Sequence, residues 1–157
     1  MITRNSPRLL LPFLGPLYAG LEPLTWPVLR IMTGLWLIPH GAHKLFGVFE
    51  SKTPVGFEAL SQAFAKYLGL PGFLGPLTAL IEFFGGILLV LGLLTRPVAA
   101  IVFVELLIAV LTVHLPHGFF AEGGGFEYPL MWCILAGIVA IRGGGALSID
   151  RALGREF

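Results

Sequence analysis

Four stretches of this chain, near Trp26–Phe46, Leu77–Leu94, Val98–His114 and Tyr128–Ile141, are almost unbroken runs of apolar residues. Crossing a hydrocarbon layer of about 30 Å takes ~20 helical residues, and the four runs match or approach that length. Only helices and closed barrels cross such a layer, because every backbone N–H and C=O must find a partner inside the protein. The runs lack the alternation of a barrel strand, which leaves helices. Composition agrees. Charged residues make up 12% of the 157, against ~25% in soluble domains. Ten basic and nine acidic side chains cannot cover the surface of a soluble protein of this size, and the mean hydropathy is +0.88. Lipid is the expected solvent. The net charge of +1, without a basic patch interleaved with aromatics, excludes a nucleic-acid partner. A single cysteine, Cys133, argues against intramolecular disulfide exchange and reads as core packing.

The basic residues set an orientation. Arg4, Arg8, Arg96, Arg142, Arg151 and Arg155 fall on one side of the four runs, and Lys44, Lys52 and Lys66 on the other. The positive-inside bias then predicts a multi-pass membrane protein with both termini inside. All four histidines fall at the outer ends of the first and third runs. The expected fold is all-α: an integral membrane bundle of four transmembrane helices, with an amphipathic surface helix between the first two. Residues 1–25 form an apolar N-terminal segment that Pro12, Pro16 and Pro23 interrupt, which predicts an interfacial or re-entrant path, and 26–157 form the membrane domain. The surface helix is predicted to start at Thr53 as N-cap with Pro54 in its first turn. It shows Phe57, Leu60, Phe64, Tyr67 and Leu68 on one side. The glycine-rich "LPHGFFAEGGGFEY" reads as a mobile loop.

Ionisable residues inside such runs cost about 2.5–3.5 kcal/mol each at a helix centre and normally face a partner. Arg30, Glu82 and Glu105 qualify. Arg30 lies ten residues below His40 and Glu105 nine below His114, so a structural Arg30–Glu105 ion pair is expected between the first and third helices. Glu82 is nearer the outer face. It reads as a general acid/base, an acceptor for an imidazole, or a counter-charge for Lys44. His40 with His43, and His114 with His117, are two His-x-x-His pairs that with a carboxylate could hold a transition metal. Pro39 and Pro116 beside them weaken that reading, and no metal is expected.

Several segments resemble, in order, those of the DoxX family of small bacterial membrane proteins. They are "RIMTGLWLIPHGAHKLFG", "LIEFFGGILLVLGLLTRPVA", "VHLPHGFF", "GFEYPL" and "GGGALSID", within Arg30 to Leu153. By position the resemblance carries Arg30, His40, Gly41, Lys44, Gly47, Glu82, Gly85, Gly86, Arg96, His114, Glu127 and Asp150, and not His43 or His117. It implies a four-helix bundle in the cytoplasmic membrane. It also implies links to redox complexes, since a family relative is a subunit of a thiosulfate:quinone oxidoreductase and others associate with enzymes of oxidative stress and thiol metabolism.

Together these features predict a membrane subunit of a quinone-linked redox system. His40, Lys44, Glu82, His114 and Glu127 would line the pocket beside Phe46, Phe83 and Phe84, with Glu82, His40 and His114 moving protons. Quinone is the expected cofactor, and other membrane subunits or further copies of the chain are the expected partners. The alternative is a non-catalytic scaffold packed against a larger membrane complex. A small-solute carrier is disfavoured because four helices leave little room for a path.

Overall fold

The computed structural model describes residues 9–49, 51 and 53–155, and every regular element among them is helical. Arg4, Arg8 and Lys52, three of the nine basic residues in the argument for orientation, lie outside the described residues. After a 3₁₀ turn at Pro12–Leu14, helix α1 runs unbroken over Gly15–Phe46. Gly47, at φ +68°, ends it and returns its N–H to the His43 carbonyl. The helix thus starts at Gly15, not Trp26. Pro23, Pro27 and Pro39 sit inside it. Each removes one intrahelical bond, a loss that a helix tolerates where neighbours or side chains serve the freed groups. No residue from 9 to 25 is buried, and packing begins at Trp26.

The surface helix, α2, covers Phe57–Tyr67 and so begins later than its Thr53-Pro54 signal. Backbone contacts explain the delay. The Gly56 N–H donates to the Lys44 carbonyl, and Gly56 at φ +85° turns the chain into the helix. Leu60 is the side chain that α2 buries, against the start of α3, while Phe57 and Tyr67 stay exposed.

Helix α3 (Leu74–Leu91) and helix α4 (Thr95–His117) form an antiparallel hairpin, and each contains a π-turn, at Ile81–Gly85 and Val110–His114. Both are long and apolar enough to cross a membrane. Helix α5 (Glu127–Arg142) packs along α4, and a short α6 (Ile149–Ala152) closes the chain. The glycine-rich stretch between α4 and α5 folds into a hydrogen-bonded turn. The Phe126 and Glu127 amides donate to the Gly118 and Phe119 carbonyls, and Phe119 packs edge-on against Phe120 and Phe126.

Glycines set the α1–α3 distance. A Cβ on Gly34 would collide with the Gly86 carbonyl, and one on Gly41 with the Phe83 backbone. The two helices therefore meet backbone to backbone, as small residues allow. Leu89, Val102, Leu106, Cys133 and Val139 fill the core between α3, α4 and α5, and Trp36 meets Trp132 across α1 and α5. The outer faces carry exposed Met32, Leu35, Phe84, Ile108, Ile134 and Ile138. Meanwhile Arg30, Asp150, Glu82 and Glu105 keep only 0%, 2%, 6% and 8% exposure. Apolar outside and charged inside is the reverse of a water-facing globule.

Candidate functional site

The buried charges fall into two groups along the α3–α4 hairpin, one at its turn and one midway along its helices. The first surrounds its turn. Arg30 Nη1 donates to the Leu89 and Val90 carbonyls at 2.6 and 3.0 Å, and Nη2 to Leu147 at 2.8 Å. A guanidinium on the last carbonyls of α3 complements the negative end of that helix. Gly92, at φ +66°, leaves the space that the guanidinium occupies. Asp150 serves the opposite helix end: Oδ1 and Oδ2 accept the Leu94 and Thr95 amides at 2.8 Å each, at the start of α4. Burial pushes the Asp150 carboxyl up. The Thr95 and Leu94 amides and the Arg30 charge outweigh it and hold the group below the usual aspartate range. Leu94 and Leu147, at φ +51° and +57°, are strained residues tied into this knot. Trp26 joins it, donating to the Gly143 carbonyl at 3.0 Å with Arg142 over its ring.

The expected Arg30–Glu105 pair therefore does not form. Its depth count assumed that His40 and His114 end their helices at one level, whereas the tight turn at residues 92–94 fixes the register differently. Antiparallel pairing across that turn puts Glu105 opposite Glu82. Arg30 is bonded at Leu89, seven residues along α3 from Glu82 and so about 10 Å away along the axis.

The second group is this upper cluster. Lys44 Nζ lies 2.6 Å from Glu82 Oε1, the sole ion pair among the described residues. Of the readings open for Glu82, the counter-charge for Lys44 is the one found. Gly41 permits it, since backbone contact with Phe83 brings the end of α1 down onto the π-turn that carries Glu82. Such π-turns recur at functional sites because the extra residue re-aims a side chain. Glu105 is buried on α4, the helix that packs against the π-turn carrying Glu82, and has Glu82 and Lys44 as its charged neighbours. Glu82 Oε2 and Glu105 Oε2 are buried with no hydrogen-bond partner among the described residues. Phe46, Phe83 and Phe84 form an edge-on ladder beside them, with centroids 5.3 and 5.1 Å apart. An entirely apolar groove of about 280 Å³ between α3 and α4 starts at Leu80 and Ile81 and passes over Gly85.

The other expected site residues lie apart. His40 is exposed, one turn before Lys44. His114 lies nine residues beyond Glu105, about 13 Å farther along α4, and its Nδ1 meets the Gly124 carbonyl at 2.7 Å. Glu127 Oε1 accepts the Ala121 amide at 2.8 Å and so braces the α4–α5 turn. His43 is buried, with Nδ1 2.6 Å from the Phe49 carbonyl and Nε2 3.0 Å from Thr53, and His117 Nδ1 meets the Val113 carbonyl at 2.7 Å. The four histidines are thus spent on separate backbone carbonyls or on the exterior. Among the described residues no three His, Cys, Asp or Glu side chains are grouped to hold a metal.

Glu105 is the member that reading the sequence assigned elsewhere. The signal was available in the short 92–94 turn, which pairs positions whose numbers total about 187.

The DoxX family model matches residues 25–115, which include both charged helices of the cluster's ion pair and Glu105. The chain is 33% identical over 140 residues to the inner membrane protein YqjF of Escherichia coli K12, covering 87% of this chain and 98% of that protein. It is 31% identical over 123 residues to a Bacillus subtilis 168 protein named "Putative oxidoreductase CatD", covering 78% of this chain and 82% of that one. No solved structure matches.

Proposed function

The chain belongs to the DoxX family of membrane proteins, and from that premise we propose that it is the membrane subunit of a quinone-linked redox system, with the Lys44–Glu82–Glu105 cluster as its head-group site. In this reading α1, α3, α4 and α5 all cross the cytoplasmic membrane, with both termini in the cytoplasm. The supporting observation is the part-buried Lys44–Glu82 ion pair, with two buried carboxylate oxygens that have no partner among the described residues, beside three phenylalanines packed edge-on. A quinone offers two carbonyl oxygens and a flat ring. Lys44 can donate to one oxygen, the phenylalanine edges fit the ring, and the α3–α4 groove suits an isoprenoid tail. Reducing a quinone to a quinol adds two electrons and two protons. The electrons would come from a partner subunit, and the protons would pass through Glu82 and Glu105. The name of the Bacillus relative is consistent with redox work. His40, His114 and Glu127 have no part in the head-group contact here; each is left to the membrane interface or to bracing the α4–α5 turn.

The test is quinone retention and titration. Protein purified in mild detergent should carry quinone, or bind added ubiquinone or menaquinone with saturable quenching of Trp fluorescence. Lys44→Met and Glu82→Gln should weaken that binding at least tenfold, while His114→Ala leaves it unchanged. Equal binding by all four proteins would remove the reading.

One observation favours a second reading, an accessory subunit that anchors a larger complex. Residues 9–25 form an apolar, wholly unburied extension of α1 with Glu22 as its one charge, suited to lie against another membrane subunit or a second copy. Co-purification from native membranes discriminates the two: a stoichiometric partner lost on deleting 9–22, together with absence of quinone binding, favours the anchor.

A further inference from the structure

We infer that Glu82 and Glu105 together form a buried proton-binding site, in which one proton is shared between the two carboxylates and Lys44 balances the single charge that remains. The inference concerns the same cluster as the proposed head-group site but does not depend on quinone being its ligand.

Four elements face this point, and each brings its titratable group. Helix α1 contributes Lys44, α3 Glu82, α4 Glu105, and α5 the Cys133 thiol, which is a charge neighbour of Glu105. Arg30 is occupied at the far end of the hairpin by three carbonyls and is not among the charged neighbours of Glu105. Among the described residues the cluster thus holds two acidic groups and one cation with no other counter-charge. Lys44 satisfies Glu82 Oε1, and nothing satisfies Oε2 of either glutamate, although both side chains are more than nine-tenths buried. Two unpaired carboxylate oxygens in a buried site carry a large desolvation cost, and two carboxylates that share a site do not both ionise. One proton resolves both difficulties. It cancels one negative charge and converts one orphan acceptor into a donor for the other, as in paired carboxylates elsewhere. The neutral sum, one ammonium against one carboxylate, is the arrangement that burial favours.

The π-turn strengthens the inference. It turns Glu82 toward α1 so that one oxygen meets Lys44, while the other has no partner among the described residues. Uptake of the proton adds one positive charge to the cluster, and its release restores two carboxylates against one ammonium. Chemistry at the head-group site that consumes a proton can therefore draw on Glu105 through Glu82 without opening the site to water. In that role Glu105 is a positioning and proton-holding residue behind Glu82.

The experiment is infrared spectroscopy of the protein in lipid vesicles stripped of quinone at neutral pH, in H₂O and D₂O. The wild type should show the carbonyl stretch of one protonated, unhydrated carboxylic acid, shifted in D₂O. Glu105→Gln and Glu82→Gln should each abolish it, because the carboxylate left behind is matched by Lys44. Lys44→Met, if it folds, should leave the remaining acids protonated and raise the band intensity up to twofold. A wild type without the band, or a band that survives both glutamine substitutions, overturns the inference. So does a band that vanishes when sodium is added at constant pH, since that result assigns the site to a metal cation. Because no quinone is present, the band can persist while quinone titration fails, or the reverse.

Discussion

Replacing Arg30 with leucine separates the architecture described here from an inter-helix clasp with Glu105. The wild-type guanidinium makes three bonds to the Leu89, Val90 and Leu147 carbonyls. Hydrogen bonds with a charged partner contribute about 1.5–3 kcal/mol each, although orphaned carbonyls can relax or find one another. Removing one member of a buried charged arrangement typically costs ~3–5 kcal/mol, and the lower total is appropriate here because no direct carboxylate contact is lost. For a chain of this length that corresponds to a fall in Tm of roughly 6–20 °C. The assay is thermal unfolding in detergent followed by tryptophan fluorescence, for which Trp26, hydrogen-bonded inside the same knot, is a local reporter. The decisive quantity is coupling. Arg30→Leu with Asp150→Asn should be non-additive by about 0.5–3 kcal/mol, because both hold the 89–95 turn. Arg30→Leu with Glu105→Gln should add within ~0.5 kcal/mol, since the two sites share no partner. A small effect of Arg30→Leu, or a larger coupling to Glu105 than to Asp150, would refute the assignment.

Further outcomes follow from the same geometry. Asp150 is held below its ordinary value of 3.8, so its contribution to stability is complete above that pH and is lost as pH falls through the lower folded value; Asp150→Asn should flatten the acid limb of the Tm–pH curve. Gly41→Ala should cost about 1–3 kcal/mol by driving a methyl group into the Phe83 backbone, whereas Gly20→Ala, with nothing within 4 Å, should leave Tm unchanged or slightly raised. Leu147→Gly should relieve the φ of +57° at an exposed side chain and stabilise by up to ~1 kcal/mol in the same melt. Val102→Ala, in the wall shared by the core and the groove, should cost about 1–3 kcal/mol and loosen tail binding more than head-group binding.

Much of this organisation was legible in residue order. Apolar run length placed α3, α4 and α5 to within a few residues, because backbone satisfaction in a lipid environment leaves so few alternatives. The start of α1 was not legible. Pro16, Pro23 and Pro27 are strong breakers in water, and only the three-dimensional context shows that the helix continues through Pro23 and Pro27. The onset of α2 was misplaced for a related reason: Thr53 and Pro54 form a plausible local cap, but the Gly56 bond to Lys44 and the His43 ring against the Thr53 carbonyl hold that stretch out of the helix. At the site, the lysine–glutamate pair could be anticipated from charge and depth. The place of Glu105 could not, as long as helix ends were aligned by their histidines. Backbone register decided it, and register here comes from the 92–94 turn and the glycine contacts of α1 with α3. Asp150, carried over by family resemblance alone, proved to be the N-terminal clamp of α4.

The most direct measurement is photolabelling with an azido-quinone in native membranes, followed by peptide mapping with and without excess unlabelled quinone. Competed adducts on peptides that contain Lys44–Phe46 or Phe83–Phe84 are the expected result, reduced in Glu82→Gln. Adducts confined to the His114–Glu127 turn, or labelling that unlabelled quinone does not displace, would contradict a head-group site at Lys44 and its two buried glutamates.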